Sequence, residues 1–150
     1  MKKTVKKVKR IPFKEFKSIY SKVPRLCVEV VLIEKEGVLL IRRTIEPAIG
    51  EWHTPGGTVL KNEHLEEAVK RVAREEIGLE VSVERMLGII EYVSYKNHFS
   101  QDISIAFLVK NISEKVPHTD EHADKFAFFS VLPQKMIKDQ KVFYKKVLSL

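Results

Sequence analysis

A single cysteine, Cys27, occurs in the 150 residues, so no disulfide can form within the chain, which suits a reducing, cytoplasmic setting. It lies in an apolar stretch and reads as a small core hydrophobe rather than a nucleophile. No apolar run approaches the roughly eighteen residues that a membrane-crossing helix needs. The first ten residues are basic but lack the apolar segment of a secretory leader. Internal repeats are missing, and only the lysine-rich ends are of low complexity. Acidic residues are the minority, 20 against 27 basic ones, for a net charge of +7. That balance favours anionic ligands, of which phosphates are the commonest. Much of the excess is terminal, from Lys2 to Arg10 and from Lys135 to Lys146. The first reading of these ends is solvated faces and a basic arm over residues 1–12. The second is weak contact with RNA.

Residues 13–150 have the length of one domain with its own core, and 44% of the chain is apolar. Phe13, Phe16, Ile19 and Tyr20 have helical spacing, ahead of Pro24. Arg25–Ile33 and Val38–Arg42 flank Glu34-Lys35-Glu36-Gly37 and predict a hairpin. Glu80–Glu84, Leu87–Tyr95, Asp102–Val109 and Lys125–Ser130 read as further strands. A last helix is predicted to begin within Leu132–Ile137 and run on towards Leu148. Asn111–Asp124 is a long irregular stretch carrying His118, Glu121 and His122, and loops of that kind tend to carry function.

The densest stretch is Pro55-Gly56-Gly57 and the helix that follows it. Asn62 before an acidic first turn predicts the helix start, and Gly78 its stop. At about 100° per residue Leu65, Ala68, Val69 and Val72 form an apolar stripe, with Glu63, Glu67, Lys70 and Arg74 opposite. Glu76 falls within about 40° of the Val72 direction, on the buried stripe. A carboxylate there either snorkels outwards or joins Glu75 and a glycine-loop carbonyl in a hard-cation site. Glu29 is the odd residue in an apolar strand. It lies either on the solvated face of an edge strand or on an open face where it reads a base or a sugar hydroxyl. Arg43 suits a phosphate because its planar fork pairs two oxygens at once. Trp52 reads first as packing and second as a ring that stacks on a ligand.

The spacing resembles the Nudix box, Gly-x5-Glu-x7-Arg-Glu-U-x-Glu-Glu-x-Gly-U, with U a bulky aliphatic residue. Gly57, Glu63, Arg71, Glu75, Glu76, Gly78 and Leu79 match it; Val72 stands in place of its first helix glutamate and Ala73 is small for a U position. The resemblance implies a single-domain α/β/α sandwich with a mixed sheet. It also implies Mg²⁺- or Mn²⁺-dependent hydrolysis of a nucleoside diphosphate linked to another moiety. On it, the Gly56 carbonyl, Glu75 and Glu76 become metal ligands, and Arg71 orients the carboxylates. Glu121 and His122 become candidates for a fourth ligand and a general base, with His98 a weaker choice. His53, His64 and His118 read as incidental.

Arg43-Thr44, Pro47-Ala48, Gly50, Trp52, Lys61, Leu65, Ala68 and Asp120-Glu121 are further similar to the GDP-mannose mannosyl hydrolase branch, which also lacks the first helix glutamate. That branch releases its sugar by attack of water at the anomeric carbon. Its base, a late-loop histidine, falls on Ala123 here, with His122 one residue earlier. The resemblance thus implies catalytic roles for His122, Glu76 and Arg71. It implies a nucleotide sugar as substrate; Arg43, Glu29 and Trp52 are the candidate substrate-binding residues, and a homodimer stays open. Housecleaning of nucleoside triphosphates, or a nucleotide- or RNA-binding module with little catalysis, are the alternatives.

Overall fold

The computed structural model describes residues 10–93 and 95–149. The basic arm expected over residues 1–12 therefore lies largely outside the described residues. The chain runs α1 (Phe13–Tyr20), β1 (Arg25–Glu34), β2 (Gly37–Arg43), β3 (Trp52–His53), β4 (Gly56–Thr58) and α2 (Leu65–Ile77). It continues through β5 (Val81–Glu91), β6 (Asp102–Asn111), β7 (Ala123–Phe129) and α3 (Lys138–Leu148).

The sheet order is β3-β2-β1-β6-β5, with β4 added to β1 and β7 to β2. β1 and β6 are parallel, in register from Arg25–Asp102 to Leu32–Val109, and the other pairings are antiparallel. The sheet is therefore mixed, as expected. Val28, Val30 and Leu32 of β1 pack with Ala68, Val69, Val72 and Ile77 of α2. The alternate residue Val31 packs on the other face with Tyr144 of α3. Period-two alternation along β1 thus feeds two helical layers, giving the sandwich.

β1 and β2 pair only beside their shared turn, Ile33 with Val38 and Glu34 with Gly37. They then part: the first half of β1 takes β4 as its neighbour, and β2 takes β7 and β3. The functional cleft lies in this fork.

Three boundaries differ from the sequence reading. The two strands expected over 80–95 are one strand, β5, whose pairing with β6 shifts between Val83 and Arg85 and again between Met86 and Gly88. A bulge resets the alternation, so exposed Glu84-Arg85-Met86 imitates a break. The last helix begins at Lys138, because Leu132 and Met136 are buried in turns that cover the second core. Asn62 adopts φ of 67°, and His64 caps α2 instead, its N–H donating to Glu67 Oε2 at 3.1 Å.

Candidate active site

The glycine pair has a steric reason. β4 lies against β1 with Gly56 opposite Glu29 and Gly57 opposite Val28. A Cβ on Gly56 would stand 2.2 Å from Oε2 of Glu29, and one on Gly57 would stand 3.0 Å from Cγ2 of Val72. A side chain at Gly56 would thus displace the buried Glu29 carboxylate, and one at Gly57 would press tightly on α2. The Gly56 N–H donates to Glu76 Oε2 at 3.0 Å, fixing that carboxylate against the loop.

Arg71, one turn before Glu75, ties the loop to the helix. Its Nε donates to Glu63 Oε2 at 2.7 Å, its Nη2 to Glu63 Oε1 at 3.0 Å and to the Thr58 carbonyl at 2.7 Å, and its Nη1 to Glu75 Oε2 at 3.2 Å. The Glu63 side chain is only 3% exposed. Burial would raise its pKa, yet the Arg71 hydrogen bonds outweigh that and hold it below the usual carboxylate value. Glu75 is also paired with Arg10.

Burial pushes the Glu76 carboxyl up to about 8; the Gly56 N–H opposes the shift, the charges of Asp120 and Glu29 add to it, and Arg43 opposes it. Glu29 is pushed up to about 7, again chiefly by burial, with hydrogen bonds from Tyr92 and Thr54 acting against it. The Tyr92 hydroxyl donates to Glu29 Oε1 at 2.9 Å and accepts from Gln140 Nε2 at 2.7 Å. Gln140 Oε1 accepts the Thr54 N–H at 2.8 Å. A residue of α3 therefore fixes both Glu29 and the strand leading to the glycine pair.

His53 is 7% exposed, and burial pushes its pKa down to about 3, so the ring is neutral. Its Nδ1 stands 2.7 Å from the Thr54 carbonyl, which can only accept, so Nδ1 carries the proton and Nε2 is an acceptor. Nε2 is buried without a hydrogen-bond partner among the described residues. Arg43 donates from Nε to the Pro47 carbonyl at 2.6 Å and from Nη2 to that of Glu46 at 3.1 Å. The loop 44–51 thereby sets the guanidinium, whose charge acts on Glu76.

Glu29, Arg43, His53, Gly56, Arg71, Glu75 and Glu76 line one cleft of about 1050 Å³. The NUDIX domain model matches residues 23–148. The chain belongs to the NUDIX family. It is 49% identical over 83 residues to the low-salt glycan biosynthesis protein Agl8 of Haloferax volcanii, a match over 55% of this chain and 53% of that protein. The chain thus spans about half the length of this relative. It is 32% identical over 124 residues to an ADP-ribose pyrophosphatase of Methanocaldococcus jannaschii, covering 77% of this chain and 72% of the other. Among solved structures, a MutT NUDIX hydrolase from Burkholderia pseudomallei superposes with a TM-score of 0.72 at 25% identity, over 83% of this chain and 98% of that one. A UDP-X diphosphatase superposes with a TM-score of 0.66 at 20% identity, over 93% and 72%, a likeness of fold.

Against the Nudix box, the structure brings Gly56, Arg71, Glu75, Glu76, Arg43, Glu121 and His122 to the one cleft. Glu29 joins them, but not on an edge: β1 is a central strand and Glu29 is 5% exposed. The solvated-edge reading is thereby overturned. Trp52 is not among the residues lining the cleft; its ring packs edge-on to Phe129 at 4.9 Å in the second core, which corrects the substrate-binding reading. Val72 is buried beneath Gly57, so the position of the missing glutamate is filled by packing. Ala123 is buried as well, and His122 is half-exposed, its Nε2 3.8 Å from Glu121.

The sequence reading gave no site role to Asp120, Tyr92 or Gln140 and took His53 as incidental, yet all four line the cleft. Asp120 was signalled by its place beside Glu121. The other three carried no local signal.

The family implies a divalent cation, and the donor chemistry fits one. Glu29, Glu75, Glu76 and Asp120 bring hard oxygen donors to the one cleft, which Arg43 also lines. Among the described residues no three acidic, histidine or cysteine side chains yet stand close enough to grip an ion.

Proposed function

We propose that the protein hydrolyses a nucleoside diphosphate linked to another moiety, a nucleotide sugar of the GDP-mannose kind, with Mg²⁺ or Mn²⁺ held by Glu76, the Gly56 carbonyl and Glu75. The observation that carries the reading is Glu76, fixed by the Gly56 N–H on the wall of a cleft that also holds Arg43. A bound Mg²⁺ would neutralise charge developing on the pyrophosphate oxygens. The protein's own residues do the rest. Arg43, oriented by its loop carbonyls, pairs with phosphate oxygens. Glu29, buried and poised near neutral pH, takes or returns a proton at Oε2. Arg71 keeps Glu63 and Glu75 in place beneath the site. Glu121 and His122 reach the cleft from the late loop and supply a further oxygen donor and a base.

The sugar-releasing reading is supported by Val72 in the packed position, by the segment from Arg43 to Trp52, and by the 49% identity to a glycan biosynthesis protein. A second reading, attack at phosphorus as in an ADP-ribose pyrophosphatase, is supported by the retained Glu75-Glu76 pair and by the 32% identical relative. Incubating the protein with GDP-mannose, UDP-glucose and ADP-ribose plus Mg²⁺ in H₂¹⁸O separates them. Label on the released sugar is the expected outcome. Label on a phosphate establishes the second reading. No turnover of any substrate would overturn both.

A further inference from the structure

Among the described residues four arginines line the cleft, Arg10, Arg25, Arg43 and Arg71, and three of them are committed within the fold. Arg25 donates from Nε to Asp102 Oδ1 at 2.8 Å and from Nη1 to Thr58 Oγ1 at 2.9 Å. Arg71 is bound to Glu63 and to the Thr58 carbonyl, and Arg43 to the carbonyls of its own loop. Arg10 is different. It belongs to the segment that enters α1, and Ile11 and Phe13 line the cleft with it. From there it reaches a residue 65 positions along the chain, its Nη2 donating to Glu75 Oε2. Arg71 Nη1 donates to that same oxygen at 3.2 Å.

The two guanidiniums on Glu75 are not equally held. The Arg71 side chain is 16% exposed and keeps three other hydrogen bonds if it loses Glu75. The Arg10 side chain is 62% exposed, and Glu75 is its one ion-pair partner among the described residues. An ion pair so open to water contributes little and exchanges readily. Its partner, however, is a carboxylate of the hard-donor set. Arg10 has no place on Glu75 once a divalent cation takes that carboxylate, because like charges would then stand side by side. It is left at the cleft without a counter-ion. Phosphate oxygens suit it there, since a planar fork pairs two of them at once. Arg43 is fixed by its loop, whereas residues 10–13 are all exposed, so Arg10 is free to follow a ligand.

We propose that Arg10 is a substrate-binding residue held on Glu75, which it yields to the divalent cation as it passes to the phosphates of the incoming diphosphate. This rests on the hydrolase reading for the place of the cation, but its test reads binding rather than turnover. The paramagnetic resonance signal of free Mn²⁺ gives the metal affinity of the full chain, and calorimetry at saturating Mn²⁺ gives the affinity for GDP. Arg10→Gln should bind Mn²⁺ about 2- to 5-fold more tightly, because an exposed ion pair no longer opposes the cation. The same variant should bind GDP at least about 5-fold more weakly, having lost a charge-assisted hydrogen bond. Arg10→Lys, which keeps the charge without the fork, should restore the parent's Mn²⁺ affinity and only part of its GDP affinity. A merely structural role would move both affinities the same way. In a Glu75→Gln background, Arg10→Gln should leave Mn²⁺ affinity unmoved. A gain that persists in that background, an unchanged or weaker Mn²⁺ affinity in Arg10→Gln alone, or an unchanged GDP affinity would each overturn the exchange. Any of these results in a protein that turns over its substrates leaves the hydrolase reading standing. Opposite shifts without turnover of any substrate would uphold the exchange and sink the hydrolase reading. No Mn²⁺ binding by the parent would overturn both.

Discussion

Glu76 bears more of the site than any other residue, and its position explains why. The Gly56 N–H holds Oε2, Arg43 faces it across the cleft, and the charges of Asp120 and Glu29 press on it. Removing its charge while keeping its shape tests whether it holds the ion. Glu76→Gln should lower turnover at least about 100-fold, as the loss of a principal electrostatic stabiliser does. A steady-state rate within about threefold of the parent would remove Glu76 from the ligand set. Arg71 acts differently, since its bonds to Glu63, Glu75 and the Thr58 carbonyl are made within the protein and none reaches across the cleft. It is a positioning residue, holding the loop that Glu76 needs.

At the scale of elements, the site depends on how closely β4 and α2 approach. A Cβ on Gly57 would stand 3.0 Å from Cγ2 of Val72, so Val72 would have to give by a few tenths of an ångström to admit it. Gly57→Ala should therefore destabilise the fold by about 1–3 kcal/mol through overpacking, and Val72→Ala by a comparable amount through a cavity. The double variant should lose less than the two combined, because each relieves the other's defect. Urea unfolding of the four proteins measures it, and strict additivity would show that the two positions do not touch. This contact was half legible in the sequence. The glycine pair, the helix, its apolar stripe and the hairpin β1–β2 could all be read from spacing, because each is set by residues close together in the chain. The order of the strands could not, and so Glu29 stayed open between an edge and an open face. Nor could its partner Tyr92 be found, or Gln140 that holds Tyr92, since they come from just beyond β5 and from α3. Trp52 carried two readings because a tryptophan beside a glycine turn looks the same whether it faces a ligand or, as in the first reading and here, packs in a core against Phe129.

For the molecule as a whole, the two cleft carboxyls link stability to pH. Glu29 and Glu76 are held up to about 7 and about 8, against 4.5 for the unfolded chain. Both bind protons more tightly when folded, so their contribution is complete below about pH 4.5 and is lost as pH rises through 7 and 8. Thermal melts in EDTA should accordingly show a lower melting temperature at pH 8.5 than at pH 6. Glu29→Gln, which no longer titrates, should shrink the difference by on the order of 5 °C. A slope unchanged in that variant would mean that Glu29 is ionised throughout. The parallel pairing of β1 with β6 has a consequence in time as well as space. β1 carries Glu29, but its neighbour β6 is separated from it in the chain by β2, β3, β4, α2 and β5. Closing so long a loop costs entropy before any contact repays it. During synthesis the hairpin and the Nudix helix can form as they emerge, whereas the wall of the cleft must wait for β6. The completed cleft is thus among the last features the chain acquires.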